Sequence, residues 1–290
     1  MINKESRIIV TGFNGQLGFD IVKKLLKEGF LNVKGIDIND LDITKKEDVV
    51  KYFDKNKPDL IIHCAAFTNV DKAEIEKDAC YNVNVIGTQN LVDVCKTYNS
   101  TFVYFSTDYV FDGLGNKFFE VNDKKDPLSV YGKTKSLGED CVLKNLTKFF
   151  IIRISWVFGI NGNNFIKTMI NLSKKAKEIN VVDDQIGSPT YTVDIANLIF
   201  DMIQTKKYGV YHATNENICS WYEFSKFIFK MANICETVNP VSTEKYSQNV
   251  KNYANRPLNS RLSKKSLVEN GFNLLPTWED ATIRFLKEFL

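Results

Sequence analysis

A β-branched run, Ile8-Ile9-Val10, leads without a spacer into Thr11-Gly12-Phe13-Asn14-Gly15-Gln16-Leu17-Gly18. Apolar residues then recur at helical spacing, at Leu17, Ile21, Leu25 and Leu26, until Gly29 stops the pattern. Strand, glycine turn and amphipathic helix in direct succession constrain this chain more than any other stretch. They predict the first βα unit of a parallel sheet, with glycines where backbone N–H groups and a helix N-terminus can hold a pyrophosphate. The spacing is Gly-x-x-Gly-x-x-Gly, not the tighter Gly-x-Gly-x-x-Gly, and alone it also fits a plain glycine-rich turn.

The strand–helix alternation continues. Val33-Lys34-Gly35-Ile36 predicts a second strand ending at Asp37, about twenty residues past the glycines, where a carboxylate can accept hydrogen bonds from an adenosine ribose. That carboxylate opposes a ribose phosphate and favours NADH over NADPH, although Lys34 could compensate. Asp42-Ile43 follows, then Thr44-Lys45-Lys46-Glu47 as a capping box for the second helix. Asp59 to His63 predicts a strand running into Cys64-Ala65-Ala66, small residues that would let a cofactor approach the backbone or serve equally as packing alanines. Asp71 to Tyr98 has a helical pattern. Thr101 to Phe105 predicts a strand ending in Ser106-Thr107-Asp108, and hydroxyls at the C-terminal end of a parallel strand sit where such sheets place ligands.

Downstream, Asp126-Pro127-Leu128-Ser129 precedes Tyr131 and Lys135, which are one helical turn apart. Residues so spaced share a helix face, so the Lys135 ammonium can sit beside the Tyr131 phenol and lower its pKa from about 10. A phenol tuned that way can exchange a proton at neutral pH. Alone, the pair fits a solvated helix face as well.

Phe149 to Ile154 predicts another buried strand, followed by Ser155-Trp156-Val157-Phe158-Gly159. The alternation to this point predicts an α/β chain with a doubly wound parallel sheet, Rossmann-like. Beyond Gly159 the rhythm loosens. Helices are expected over Phe165–Lys177, Val193–Met202, Trp221–Ala232 and Leu274–Leu290, and a strand over Val210–Ala213. No linker or repeat separates a second unit. The expected division is a nucleotide-binding domain over residues 1–159, rejoined by about 190–212, and a smaller interwoven substrate lobe mainly over 160–290.

Lys plus Arg (38) nearly balance Asp plus Glu (35), with both signs scattered, which argues against a dedicated nucleic-acid binder. No apolar run approaches the ~20 residues of a membrane span, and Met1 to Arg7 lacks a signal-peptide core. A cytoplasmic protein with no membrane partner is expected. Its six cysteines form no Cys-x-x-Cys pair and fit reduced thiols, while His63 and His212 have no second ligand nearby, so no metal is expected.

Taken together, the glycine turn, the Ser106-Thr107 strand end and the Tyr131/Lys135 pair resemble the extended short-chain dehydrogenase/reductase family, in its nucleotide-sugar reductase branch. The similarity extends through Leu41-Asp42-Ile43-Thr44, Val70 to Glu74, Ser106 to Gly113, Arg153 to Trp156, Asp184 to Thr190 and Arg256 to Ser260. The glycine turn and Tyr/Lys pair mark only the superfamily. The Ser106 to Phe111 stretch and the Asp184 to Thr190 loop are more specific.

The resemblance implies NAD(P)H-dependent reduction of the C4 keto group of dTDP-4-dehydro-6-deoxy-L-mannose to dTDP-L-rhamnose. On that basis Tyr131 would protonate the C4 oxygen, Lys135 would hold the nicotinamide ribose and keep the phenol acidic, and Thr107 would hydrogen-bond the carbonyl. Gly12, Gly15 and Gly18 would carry the pyrophosphate, with Phe13, Asn14, Gln16 and Leu17 also among the cofactor-binding residues. Asp37, Asp42 and Ile43 would meet the adenosine, and Cys64, Ala65, Ala66 and Thr68 the middle of the cofactor.

Val70, Thr107, Asp108, Trp156 and Asn164 match substrate-pocket positions of similar enzymes, with Trp156 open to a core reading as well. Arg256 and Arg261 are candidates for the substrate diphosphate, or for ordinary surface ion pairs. Some relatives bind magnesium between subunits through carboxylates. Here Asp20 falls near one such position but Thr192 replaces another acid, which supports no required metal. Family grounds allow a homodimer.

Two other readings remain open. One is a non-catalytic NADP-binding subunit similar to the regulatory β subunit of methionine adenosyltransferase. The other is a nucleotide-sugar epimerase or dehydratase that recycles its cofactor; against a dehydratase, Thr107 is followed by Asp108 and Tyr109, an incomplete acid pair.

Overall fold

The computed structural model describes residues 2–235, 237–248 and 250–290; Met1, Glu236 and Asn249 lie outside them. The chain opens with β1 (Ile8–Thr11), α1 (Gln16–Lys27), β2 (Val33–Ile36), α2 (Lys46–Asn56) and β3 (Leu60–His63). Next come α3 (Val70–Ile75), α4 (Lys77–Tyr81), a π-helical turn at Asn82–Gly87, and α5 (Thr88–Tyr98). β4 (Thr101–Thr107), α6 (Val130–Asn145), β5 (Phe149–Ile154) and the short β6 (Val157–Phe158) complete the first half. The second half holds α7 (Phe165–Ser173), β7 (Glu178–Val182), β8 (Ile186–Gly187), β9 (Thr190–Tyr191) and α8 (Thr192–Ile203). It continues through β10 (Gly209–His212), β11 (Cys219–Ser220), α9 (Trp221–Met231) and β12 (Thr237–Val241). It ends with α10 (Thr243–Ser247), α11 (Lys265–Glu269) and α12 (Trp278–Phe289).

Six strands form one parallel, Rossmann-like sheet in the order β10-β5-β4-β3-β1-β2. Both faces are covered, which is why the strands are near-continuous apolar runs without alternation. Ile8, Val10, Ile62, Val103 and Ile152 pack on one face against α1 and α8 residues such as Ile21 and Ile199. Ile9, Ile61, Phe102 and Ile151 pack on the other against Phe53 of α2, Leu91 of α5 and Val142 of α6. A separate cluster holds Phe158, Ile166, Phe224, Trp278 and Phe285. β10 returns to the large sheet from beyond residue 200, as the sixth strand beside β5.

Strand order reverses at β1, which lies between β2 and β3. The connection leaving β1 runs to β2 on one side and the one leaving β3 runs to β4 on the other, so the carboxyl ends of β1 and β3 open a crevice.

Three local expectations differ from the structure. The Thr44–Glu47 capping box does not form: α2 begins at Lys46 with Lys45 as its uncapped N-cap, and the Thr44 hydroxyl instead donates to Asp42 at 2.7 Å. A short-range Asx-type turn has outcompeted the helix cap. The Asp71–Tyr98 helix is broken at Glu76 (φ −100°, ψ 54°) and wound as a π-turn over Asn82–Gly87. Finally, the Asp184–Thr190 loop contributes the short strands β8 and β9.

Candidate active site

The glycine turn closes tightly on the sheet. Gly12 has φ +68°, and a Cβ there would come within 2.6 Å of the Ala65 nitrogen; one at Gly18 would reach 2.5 Å from the Gly12 carbonyl oxygen. Only glycine lets α1 start this close to β1 and the strand end at Ala65. Gly15 is the N-cap of α1 and has no side chain to satisfy the first-turn N–H groups. Those donors and the positive end of the helix border the cleft beside Gly15, Gln16, Leu17 and Gly18, a cradle suited to a diphosphate. Phe13 and Asn14 do not line it. The Phe13 ring covers Gly35, where a Cβ would lie 2.5 Å from the ring, and the Asn14 backbone N–H donates to Asp37 Oδ2 at 2.9 Å.

The cleft runs from this turn along the carboxyl ends of the strands and encloses about 690 Å³. Its far end is bordered by Asp37, Asp42 and Ile43, together with Ile38, Leu41 and Thr44. Both Asp37 oxygens already accept backbone N–H groups, Oδ2 from Asn14 and Oδ1 from Ile38. Cys64, Ala65, Ala66 and Thr68 form the middle wall. Behind them the buried His63 bridges the hydroxyls of Thr11 (2.8 Å) and Thr88 (3.1 Å), and burial pushes its pKa down to about 3. No cluster of three metal-binding side chains occurs among the described residues.

At the near end α6 lies directly on β4 and its following turn. A Cβ on Gly132 would meet the Tyr109 carbonyl oxygen at 2.3 Å, and one on Gly138 the Tyr104 hydroxyl at 2.2 Å. Ser129 caps the helix by accepting from the Gly132 N–H at 3.1 Å. This contact brings Tyr131 and Lys135 of α6 into the same wall as Thr107 at the end of β4. The Tyr131 ring stands edge-on to Tyr109 at 5.5 Å, in the same wall as Thr107. The Lys135 ammonium lies 4.1 Å from the centre of the Tyr104 ring.

The expected acidification of Tyr131 by Lys135 is not what the structure gives. Burial pushes the phenol up, against the pull of the neighbouring Thr107 hydroxyl. Lys135 is itself pushed down to about 7 by burial, against the pull of Glu139. A buried amine that loses its charge near neutrality cannot hold a phenolate strongly.

Val70, Asp108 and Trp156 line the cleft on the side facing the second lobe. Asn164 does not: it caps α7 by accepting from Lys167 N–H at 3.1 Å, and it donates to Gly159 O and Gln16 Oε1. Nor do the arginines. Arg256 is paired with Asp71 at 2.7 Å and lies over the Tyr253 ring at 4.1 Å, and Arg261 donates to Asn259 at 2.9 Å. Trp221 lines the cleft and was not foreseen. In the sequence it stands only as the first residue of the helix expected over Trp221–Ala232; in the structure Ser220 and Glu223 form a capping box at that helix start.

The sequence profile described as "RmlD substrate binding domain" matches residues 6–290. The chain belongs to that family. Within the RmlD family, it is 40% identical over 289 residues to the dTDP-4-dehydrorhamnose reductase of Aggregatibacter actinomycetemcomitans, covering 95% of this chain and 97% of the relative. The crystal structure of a dTDP-4-dehydrorhamnose reductase from Clostridium acetobutylicum superposes with TM-score 0.93 at 40% identity, over 97% of this chain and 99% of that one. A Bacillus anthracis dTDP-4-dehydrorhamnose reductase, solved in complex with NADP, gives TM-score 0.93 at 42% identity, over 98% and 99% of the two chains. No helix among the described residues is long and apolar enough to cross a membrane.

Proposed function

We propose that this RmlD-family chain is an NAD(P)H-dependent reductase of a nucleotide-linked 4-keto sugar, taking dTDP-4-dehydro-6-deoxy-L-mannose to dTDP-L-rhamnose. The observation that carries this reading is the arrival of Thr107, Tyr131 and Lys135 in one wall of a cleft that starts at an uncapped, glycine-built helix N-terminus.

A reduced nicotinamide held there would supply the hydride for C4. The first-turn N–H groups of α1 hold its diphosphate, and Ala65 and Ala66 leave room for its middle. Lys135, with three rotatable donors, holds ribose hydroxyls. Tyr131 delivers a proton to the C4 oxygen, and its high intrinsic pKa suits an acid that must stay protonated until charge develops on that oxygen. Thr107 holds the same oxygen. Val70, Asp108, Trp156 and Trp221 form the sugar-nucleotide side.

In this reading residues 1–159, with about 190–212, form the cofactor half, and 160–290 mainly the substrate half. Asp37 favours NADH by opposing a ribose phosphate, and the relative crystallised with NADP makes both coenzymes the proper comparison. Six free cysteines fit the cytoplasmic setting expected from the sequence. Loss of reduced-nicotinamide absorbance on adding the keto sugar nucleotide tests the assignment. Consumption equal to product formed supports it, whereas product without net consumption points to an epimerase or dehydratase.

A further inference from the structure

In the stretch Arg256 to Ser260 the arginine is paired with Asp71 and does not enter the cleft. What the stretch delivers to the cleft is Ser260, whose hydroxyl donates to Asp108 Oδ2 at 2.5 Å. The segment is held firmly: Ser260 N–H donates to Ile186 O at 2.7 Å, and Asn259 N–H to Gly113 O at 3.0 Å. The other carboxylate oxygen of Asp108 accepts from the Thr107 hydroxyl at 2.9 Å. Thr107 Oγ1 in turn accepts from Tyr109 N–H at 3.2 Å and shares the cleft wall with Tyr131. Ser260, Asp108 and Thr107 are all buried. A continuous hydrogen-bonded line therefore runs from Ser260 through Asp108 to Thr107, which shares the cleft wall with the Tyr131 phenol.

This line has a chemical consequence. While Asp108 is ionised, the Thr107 proton is committed to the carboxylate, so Thr107 has none to offer the C4 oxygen. When Asp108 carries a proton the direction reverses: Asp108 donates to Thr107, which can then donate to the phenol or to the substrate oxygen.

We propose that Asp108, oriented by Ser260, is the proton source behind Tyr131 and acts on it through Thr107. This rests on the reductase reading above. As hydride adds to C4, the Tyr131 O–H bond breaks and its proton passes to the C4 oxygen. The Thr107 proton passes to the phenolate and the Asp108 proton to Thr107, leaving Asp108 as carboxylate. Asp108 borders the cleft and regains a proton from water once product leaves. In this scheme Asp108 is a positioning residue. The groups facing it are Thr107 and Tyr109 from its own segment, Tyr131 from α6 and Ser260. Lys135 lies one turn further along α6, Arg256 is paired with Asp71, and Asp108 makes no ion pair among the described residues. Burial raises its pKa to about 6, with Ser260 and Thr107 pulling it down.

The experiment compares the full-length wild type, Asp108→Asn and Ser260→Ala as kcat against pH with the keto sugar nucleotide and NADPH. Wild-type kcat should fall as pH rises through about 6, and Asp108→Asn should lose that limb and at least about tenfold in kcat at lower pH. Ser260→Ala, lacking the bond that favours the carboxylate, should move the limb to higher pH. An Asp108→Asn profile like wild type, a loss confined to KM, or a Ser260→Ala limb unmoved would overturn the proposal.

A second measurement needs no turnover. An acid whose folded pKa is raised from 3.8 to about 6 stabilises the fold below that window and loses the contribution as pH rises through it. The stability of wild type relative to Asp108→Asn should therefore drop between those values, and a flat difference would overturn the proposal. A sloping difference in a protein that oxidises no reduced nicotinamide would support the titrating line while sinking the reductase reading.

Discussion

Trp156 and Trp221 lie face to face in the cleft wall, ring centroids 3.7 Å apart and planes 14° from parallel. Trp156 adopts φ +50°, unusual for a bulky residue, and a Cβ on Gly187 would come within 3.0 Å of its ring. One face of Trp156 is thus committed to Trp221, and the pair forms a single aromatic wall. Such a stack contributes about 0.5–1.5 kcal/mol beyond burial, so Trp221→Ala should raise KM for the sugar nucleotide roughly 3- to 10-fold. Steady-state kinetics should show kcat nearly unchanged.

Arg256 ties its segment to Asp71 at the start of α3. Its pair with Asp71 is 2.7 Å long, with side chains 20% and 35% exposed, so water screens part of the interaction. Arg256→Met should lower unfolding stability by about 1 kcal/mol and leave KM for the sugar nucleotide close to wild type. A urea titration beside a KM measurement separates these, since a diphosphate ligand would show the opposite pattern.

Gly12→Ala places a side chain at φ +68°, against the backbone of Cys64 and Ala65. Backbone strain of about 1–3 kcal/mol adds to that clash. Calorimetric titration with NADPH should show binding lost or weakened by orders of magnitude, together with a lower Tm.

Lys135 carries a folded pKa of about 7 against the ordinary 10.5. Between those values the unfolded chain holds more protons at this amine than the folded protein, so stability from this group rises with pH across the window. Lys135→Met should be more stable than wild type near neutrality, with the margin shrinking toward pH 10. Denaturant unfolding at both ends of the window measures the trend.

The βα rhythm, the glycine turn and the Thr107 strand end could be found in the sequence because each is set by residues close in the chain. Ile8-Ile9-Val10 must be buried on both faces, and Gly12 must turn where β1 stops. The far wall could not be found that way. Ser260 meets Asp108, Arg256 meets Asp71 and Asn164 meets Gln16 across long stretches of chain, and each contact decides which side chains remain for a ligand. Trp221 reaches the cleft because β11 pairs antiparallel with β8, a two-residue ladder without a hydrophobic period to announce it. The Tyr131/Lys135 spacing was visible but its electrostatics were not, since burial of both groups outweighs their proximity along α6.

The central claim is that Tyr131 gives the proton that completes hydride addition. Single-turnover oxidation of enzyme-bound NADPH by dTDP-4-dehydro-6-deoxy-L-mannose, in wild type and Tyr131→Phe, tests it most directly. The predicted result is a fall of about 10²–10⁴-fold in the variant's rate with NADPH affinity retained; a variant that oxidises bound NADPH at the wild-type rate would contradict it.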